Sequence, residues 1–295
     1  MTTTTEVEAK AIELLEKSQN DPVGWTYAIL GRTLTWYQAR IMEDVRDYTR
    51  VAVRSCNSIG KDFAAGCIAL WWVHQWPDAQ VVTTAPTWHQ VEQIQWRREI
   101  HKLYEQAVYP LGGKMQTTSY RLGPERVAFG ISVNNKEAMQ GIHSDHILII
   151  VTEASAPQFD DELMEGIDAL MAGGDAKILM LSNPTRQEGS LFRAFNSQRA
   201  QWRVRRVSAF DTPNVQACMK LGPHRIPDEC ANLVKGLISH QWITDMAEKY
   251  GENSDFYRVH ILGEFPLSGS DSLIPLSWVE AARERGAREH GLSPG

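Results

Sequence analysis

A chain of 295 residues with 43 % hydrophobic and 22 % charged residues can build one large α/β domain or two small ones. Its net charge of −6 excludes a protein coated in basic surface, though not a local patch for phosphate contacts. No apolar run reaches the ~18 residues of a membrane span, and residues 1–10 lack the basic and apolar regions of a signal peptide; a cytosolic location is expected.

In chain order, residues 6–17 read as a short charged helix and 33–48 as another, opening at Thr33 or Thr35. Strand-like and helix-like runs then alternate: strands at 51–54, 79–83, 127–132, 146–151, 177–181 and 202–209; helices at 61–75, 88–106 and 163–171. Continuous apolar strands alternating with helices predict an α/β fold with a mainly parallel sheet sandwiched by helices. The pattern weakens over 216–238, and 239–250 is one more amphipathic helix with Ser239 as N-cap. The tail from 281 is charged and reads as frayed or as the start of a linker. Cys56, Cys67, Cys218 and Cys230 show no C-x-x-C pair and no zinc spacing, so they read as reduced thiols.

Four motifs carry chemistry. Ser55-Cys56-Asn57-Ser58-Ile59-Gly60-Lys61-Asp62 follows an apolar strand and opens a helix. A phosphate-binding loop needs this context, with backbone N–H groups and the helix start facing the phosphates and lysine reaching the β/γ oxygens. Ser55 replaces the usual first glycine and Asp62 the usual hydroxyl after lysine; an ordinary strand–turn–helix with a solvated Lys61 would read similarly. Residues 147–151 are apolar and end at Thr152-Glu153, like a Walker B strand with Thr152 where an Asp would hold Mg2+ and Glu153 left to act on water. Asp62 and Thr152 thus look like metal ligand types exchanged across the site, or like unrelated changes in a weakened one. Ser182-Asn183-Pro184-Thr185 ends another buried strand, where α/β sheets hold ligands, and Ser182 or Asn183 can sense the γ-phosphate. In Trp36-Tyr37-Gln38 an aromatic can stack on adenine and an amide can pair with it; such a pair is also common in cores.

In this order these pieces resemble the ATPase (DNA-packaging motor) domain of phage large terminases. The resemblance covers about 33–280 and includes Leu34-Thr35-Trp36-Tyr37-Gln38 as adenine motif, Arg54-Ser55 running into Gly60-Lys61, and Thr84-Ala85-Pro86-Thr87-Trp88. It continues with Gln140-Gly141-Ile142-His143, the Ser182–Thr185 coupling motif and Gly263-Glu264-Phe265-Pro266. It implies a P-loop NTPase fold (RecA/ASCE-like), with a helical segment at 1–32, the ATPase core at 33–215, a helical or linker subdomain at 216–280, and at 281–295 a tail or linker to a nuclease domain. Nuclease activity is not expected from these residues.

The implied activity is ATP hydrolysis driving double-stranded viral DNA into a procapsid. ATP and Mg2+ would be held by residues 55–62 with Asp62, Thr152 and Glu153 at the metal, and Glu153, Lys61 and Arg54 as catalytic groups. Implied partners are DNA, the portal protein and the small terminase subunit, in a ring that is monomeric in isolation, in the cytoplasm of an infected bacterial host. An arginine finger is expected from a neighbour. Such proteins often carry an arginine near the position of Gln140, which this chain lacks; Arg121 and Arg126 are candidates. Arg97, Arg98, His101 and Lys102, or Arg203, Arg205 and Arg206, can touch DNA phosphates, or simply be solvated faces. A nucleotide-binding protein that is catalytically weak or silent, or another DNA-remodelling ATPase, is the alternative.

Overall fold

The computed structural model describes residues 13, 16–133, 142–221 and 233–267. The expected helix at 6–17 falls mostly outside these residues, as do the tail from 281, Gln140, Gly141 and Cys230; Cys56 and Cys67 are buried free thiols, and Cys218 is buried.

Among the described residues six strands run parallel: β1 (Arg50–Ser55), β2 (Gln80–Ala85), β5 (Val127–Ser132), β6 (His146–Thr152), β7 (Asp175–Ser182) and β8 (Arg203–Val207). The central apolar ones, β2, β6 and β7, are buried on both faces, while the edge strand β8 is largely half-buried. A short hairpin, β3 (Lys114–Gln116) and β4 (Ser119–Arg121), adds to β5 antiparallel. The sheet order is β3-β4-β5-β2-β6-β7-β1-β8. β7 therefore stands between β1 and β6, with Arg54 opposite Ser182 and Thr152 opposite Leu181. At ~4.8 Å between strands, the ends of β1 and β6 lie about 10 Å apart with the exit of β7 between them, a crevice at the carboxyl ends of the strands.

The period of two divides the sheet into two cores. Val51, Val53, Val81, Leu148, Ile150, Leu179 and Leu181 face one side. There they meet α1 (Pro22–Leu30), α2 (Trp36–Asp47), α3 (Lys61–Gln75) and α4, a π-wound stretch Gln90–His101 that continues as Lys102–Glu105. Ala52, Val82, Ile149, Val151, Ile178 and Met180 face the other, covered by α5 (Asp161–Leu170) and α6 (Gly189–Phe195). Helices α7 (Pro213–Leu221), α8 (His240–Tyr250) and α9 (Asp255–Tyr257, then π-wound Arg258–Leu262) follow. Thr35 caps α2 with a full capping box to Gln38, and Ser239 caps α8.

Candidate nucleotide site

The loop between β1 and α3 is set by left-handed backbone at Ser58 (φ 52°) and Gly60 (φ 73°). For serine this costs about 1–2 kcal/mol, a strain typical of ligand-binding turns. Neighbouring segments hold the loop from outside. Cys56 N donates to Val207 O at 2.9 Å, Asn57 N to His260 O at 3.0 Å, and Ile238 N to Ser58 O at 3.0 Å. The carbonyl of Ile59 accepts from Tyr37 Oη at 3.1 Å and Gln38 Nε2 at 3.0 Å. The N–H groups of Ser58, Ile59 and Gly60 make no such backbone bond among the described residues, and the first N–H groups of α3 have no intrahelical acceptor. An anion would meet these amides at a helix N-terminus. Cys56 and Asn57, expected in the cradle, instead spend their amides on anchoring it.

Three strand ends converge on Lys61. Its Nζ lies 2.8 Å from Glu153 Oε1 and 3.5 Å from Asn183 Oδ1. Asn183 Nδ2 donates to Ser55 O at 2.8 Å, tying β7 to β1. Ser182 Oγ lies 3.5 Å from Glu153 Oε2 and accepts from Ser155 N at 3.2 Å. Glu153 itself is left-handed (φ 55°), which turns its carboxylate out of the strand direction toward the lysine. Burial pulls the Lys61 ammonium down, but Glu153 and Asp62 outweigh it and hold it above the ordinary lysine range. Burial lifts the Asp62 carboxyl above its ordinary range; Lys61 opposes this and Glu153 adds to it. The Asp62 and Glu153 carboxylates, both coupled electrostatically to Lys61, offer hard oxygen donors of the kind a divalent cation takes.

Other expected site residues sit differently. Thr152 is buried, and its hydroxyl accepts from Gln95 Nε2, which also donates to Thr84 O at 3.2 Å. Tyr37 is fully buried and presents no ring face to a base. Trp36 is half exposed, and its Nε1 donates to Asp211 O at 3.0 Å. The Gln38 amide spans its own helix cap and the loop: Thr35 N donates to its Oε1 at 3.0 Å, and its Nε2 reaches Ile59 O and Gly60 O. Arg54 does not join the lysine cluster. Its guanidinium lies 4.9 Å from the Phe195 ring centroid and 5.1 Å from that of Phe265, and burial pulls its pKa down. Arg126 donates to Val73 O at 2.8 Å and to His74 O, capping the end of α3. Arg121 bonds Pro124 O at 2.9 Å on the hairpin.

Beside the loop lies a cavity of about 840 Å³ lined by Leu34, Gln38, Gly60, Phe63, Arg98 and Lys102, among others. The motifs did not show that two cations of α4 open into this space. Nor did they show His260, whose Nδ1 lies 3.0 Å from Asn57 Oδ1, or Gln95. No local signal marks either: each is defined by a partner far along the chain.

The strand order, the loop at the end of β1, the acidic end of β6 and the polar end of β7 define a P-loop NTPase fold. No family model matches the chain. It is 26 % identical over 294 residues to the "Probable terminase, large subunit" of Enterobacteria phage P7, which covers 92 % of this chain and 54 % of that protein. The chain thus spans about half the length of the curated relative it matches. The HK97 bacteriophage large terminase superposes with a TM-score of 0.59 at 18 % identity, over 84 % of this chain and 55 % of that one. A mutant of the ATPase domain of the Thermus phage P74-26 large terminase superposes with a TM-score of 0.51 at 15 % identity, over 80 % of this chain and 96 % of that one. The resemblance read from the motifs stands: this chain is similar to phage large terminases and shares the fold of their ATPase domains.

Proposed function

We propose that this chain hydrolyses ATP to drive duplex DNA into a viral procapsid, as the motor domain of a large terminase, with residues 33–215 as its catalytic core. The convergence of Lys61, Glu153 and Asn183 on the phosphate-binding loop carries the reading. Lys61 pairs with Glu153; on binding ATP it would turn to the β- and γ-phosphate oxygens, leaving Glu153 to orient and deprotonate the attacking water. The free loop amides hold the phosphates, and the base and ribose enter the cavity beside Gly60. Asn183, hydrogen-bonded to Ser55 O, links the γ-phosphate position to both β1 and β7. Asp62 and Glu153 would hold Mg2+, which would supply positive charge to offset that of the phosphates. The partners in this reading are DNA, the portal protein and the small terminase subunit, in a ring whose neighbours supply an arginine, within the cytoplasm of an infected bacterium. Among the described residues no helix is long and apolar enough to cross a membrane.

ATP turnover with and without duplex DNA, in wild type and Lys61→Ala, tests the reading. Wild type should turn over and the folded variant should not. A folded Lys61→Ala protein with normal turnover contradicts it. A second reading, a nucleotide-binding protein that is catalytically silent, draws on Asp62 and on the Thr152–Gln95 bond at the usual metal positions. Nucleotide binding without any turnover, with or without DNA, would select it.

A further inference from the structure

The β1–β8 margin carries arginines out of proportion to a chain of net charge −6. β8 ends the sheet order, so one of its edges has no strand beside it among the described residues. Arg203 and Arg205 share the carboxylate of Asp44, with Arg203 Nε 3.0 Å from Oδ1 and Arg205 Nη2 3.0 Å from the same oxygen. Arg206 and Arg258 share Glu264, at 2.5 and 2.9 Å. Arg50 pairs with Asp168 at 2.8 Å, while Arg199 donates to the Trp202 carbonyl at 3.0 Å and has no acidic partner among the described residues. Each shared carboxylate neutralises only one of its two arginines, so the margin keeps a positive excess.

The same carboxylates hold the guanidiniums in place. The Asp44 side chain is 5 % exposed, whereas those of Arg203 and Arg206 are 39 % and 44 % exposed. Arg203 is thus anchored on a buried carboxylate and open to solvent, while Arg206 is open to solvent on the partly exposed Glu264. Between the starts of β1 and β8, Arg50, Arg199 and Arg203 line a cavity of about 440 Å³ with Tyr48 and Trp202. Arg203 and Arg205 lie on one face of β8 and Arg206 on the other, so the cations flank the free edge of a strand roughly 16 Å long at ~3.3 Å per residue. A duplex strand rises ~3.4 Å along its axis per phosphate while winding away from a straight edge, so a margin of this length reaches about two or three phosphates. One acidic side chain would satisfy only one end. The planar fork of arginine also suits phosphate oxygens. The cations of α4 are placed differently, since Arg98 and Lys102 open into the cavity beside Gly60.

We propose that the β1–β8 margin is the track on which this chain holds the phosphodiester backbone of duplex DNA, without reading bases. The inference rests on the DNA-motor reading and adds where the DNA lies. The test is fluorescence anisotropy of a short labelled DNA duplex against the intact chain with a non-hydrolysable ATP analogue, over a range of salt concentrations. Arg199→Gln and Arg206→Gln should each weaken binding and flatten the slope of log K against log salt by about one, while Arg97→Gln on α4 should not. Arg199→Gln breaks no ion pair, so it keeps the test valid if Arg206→Gln unfolds; circular dichroism melts and basal ATP turnover verify each fold. Wild type binding with both variants unchanged in affinity and slope would overturn the track and leave the motor reading standing. Wild type failing to bind duplex at any salt would overturn both. If the variants change self-association by sedimentation but not DNA affinity, the margin is a contact between copies and the proposal is wrong.

Discussion

Gly263→Ala should loosen the nucleotide loop from outside the motif. Gly263 is left-handed (φ +63°), and an added Cβ would lie 2.7 Å from Val207 O, 2.9 Å from Cys56 N and 3.0 Å from Ser55 C. All three are backbone atoms of β8, β1 or the loop, so no side chain can swing aside. The left-handed strain costs an L-residue about 1–2 kcal/mol. Relief of the contact means separating the atoms that form the Cys56 N–Val207 O hydrogen bond at 2.9 Å, worth about 0.5–1.5 kcal/mol. Together these give a loss of about 1.5–3.5 kcal/mol. Gly112→Ala is the control, because Gly112 has φ +66° but nothing within 4 Å of its Cβ position; it isolates the backbone strain. Urea unfolding followed by tryptophan fluorescence reads the stability, and titration with a fluorescent ATP analogue reads the loop. Equal losses in the two variants, with nucleotide affinity unchanged in Gly263→Ala, would refute the claim that this residue clamps the loop.

Asp62→Asn should stabilise the nucleotide-free protein at neutral pH. The folded carboxyl is raised, so its ionisation opposes folding once pH passes above the ordinary carboxylate range and through the raised value; below that range the difference should vanish. Thermal melts from acid to neutral pH measure this, and a lower melting temperature for Asp62→Asn at neutral pH would count against the buried cost. The same variant should weaken the dependence of ATP affinity on Mg2+, and an unchanged dependence would remove Asp62 from the metal site. Gln38→Ala should raise the KM for ATP through the loop, since it loses bonds to Ile59 O and Gly60 O; an unaltered KM would make the amide dispensable. The isolated chain should be a slow ATPase and a monomer in dilute solution, because an arginine from a neighbour typically adds about 10³–10⁵ in rate. Sedimentation showing a stable ring without DNA would contradict this.

The strands were legible because residues buried on both faces must read as continuous apolar runs, as in 147–151. Helix α3 was legible from its loop and its apolar face. Helix α1 was not: it opens at Pro22 and has Gly24 in its first turn, so it shows little helical periodicity. The three-residue strands β3 and β4 are too short to alternate visibly. In the site, Lys61, Glu153 and Asn183 were legible because each ends or follows a recognisable run, and the sheet order brings them together. The burial of Tyr37, the turn of Gln38 toward the loop, the Thr152–Gln95 bond and the capping role of Arg126 depend on partners distant in sequence. Residue type alone could equally place Tyr37 against a base or in the core, and only the packing of α2 on the loop decides it.

The most direct test of the account is Glu153→Gln, assayed in parallel for nucleotide binding and for ATP turnover. Glu153 holds Lys61 at 2.8 Å, so the amide should release the lysine to the phosphates. Nucleotide affinity should be kept or tightened, while turnover falls by about 10²–10⁴, the usual contribution of a positioned general base. Unchanged turnover, or loss of binding in a folded protein, would contradict the assignment of Lys61 and Glu153 as the hydrolytic pair.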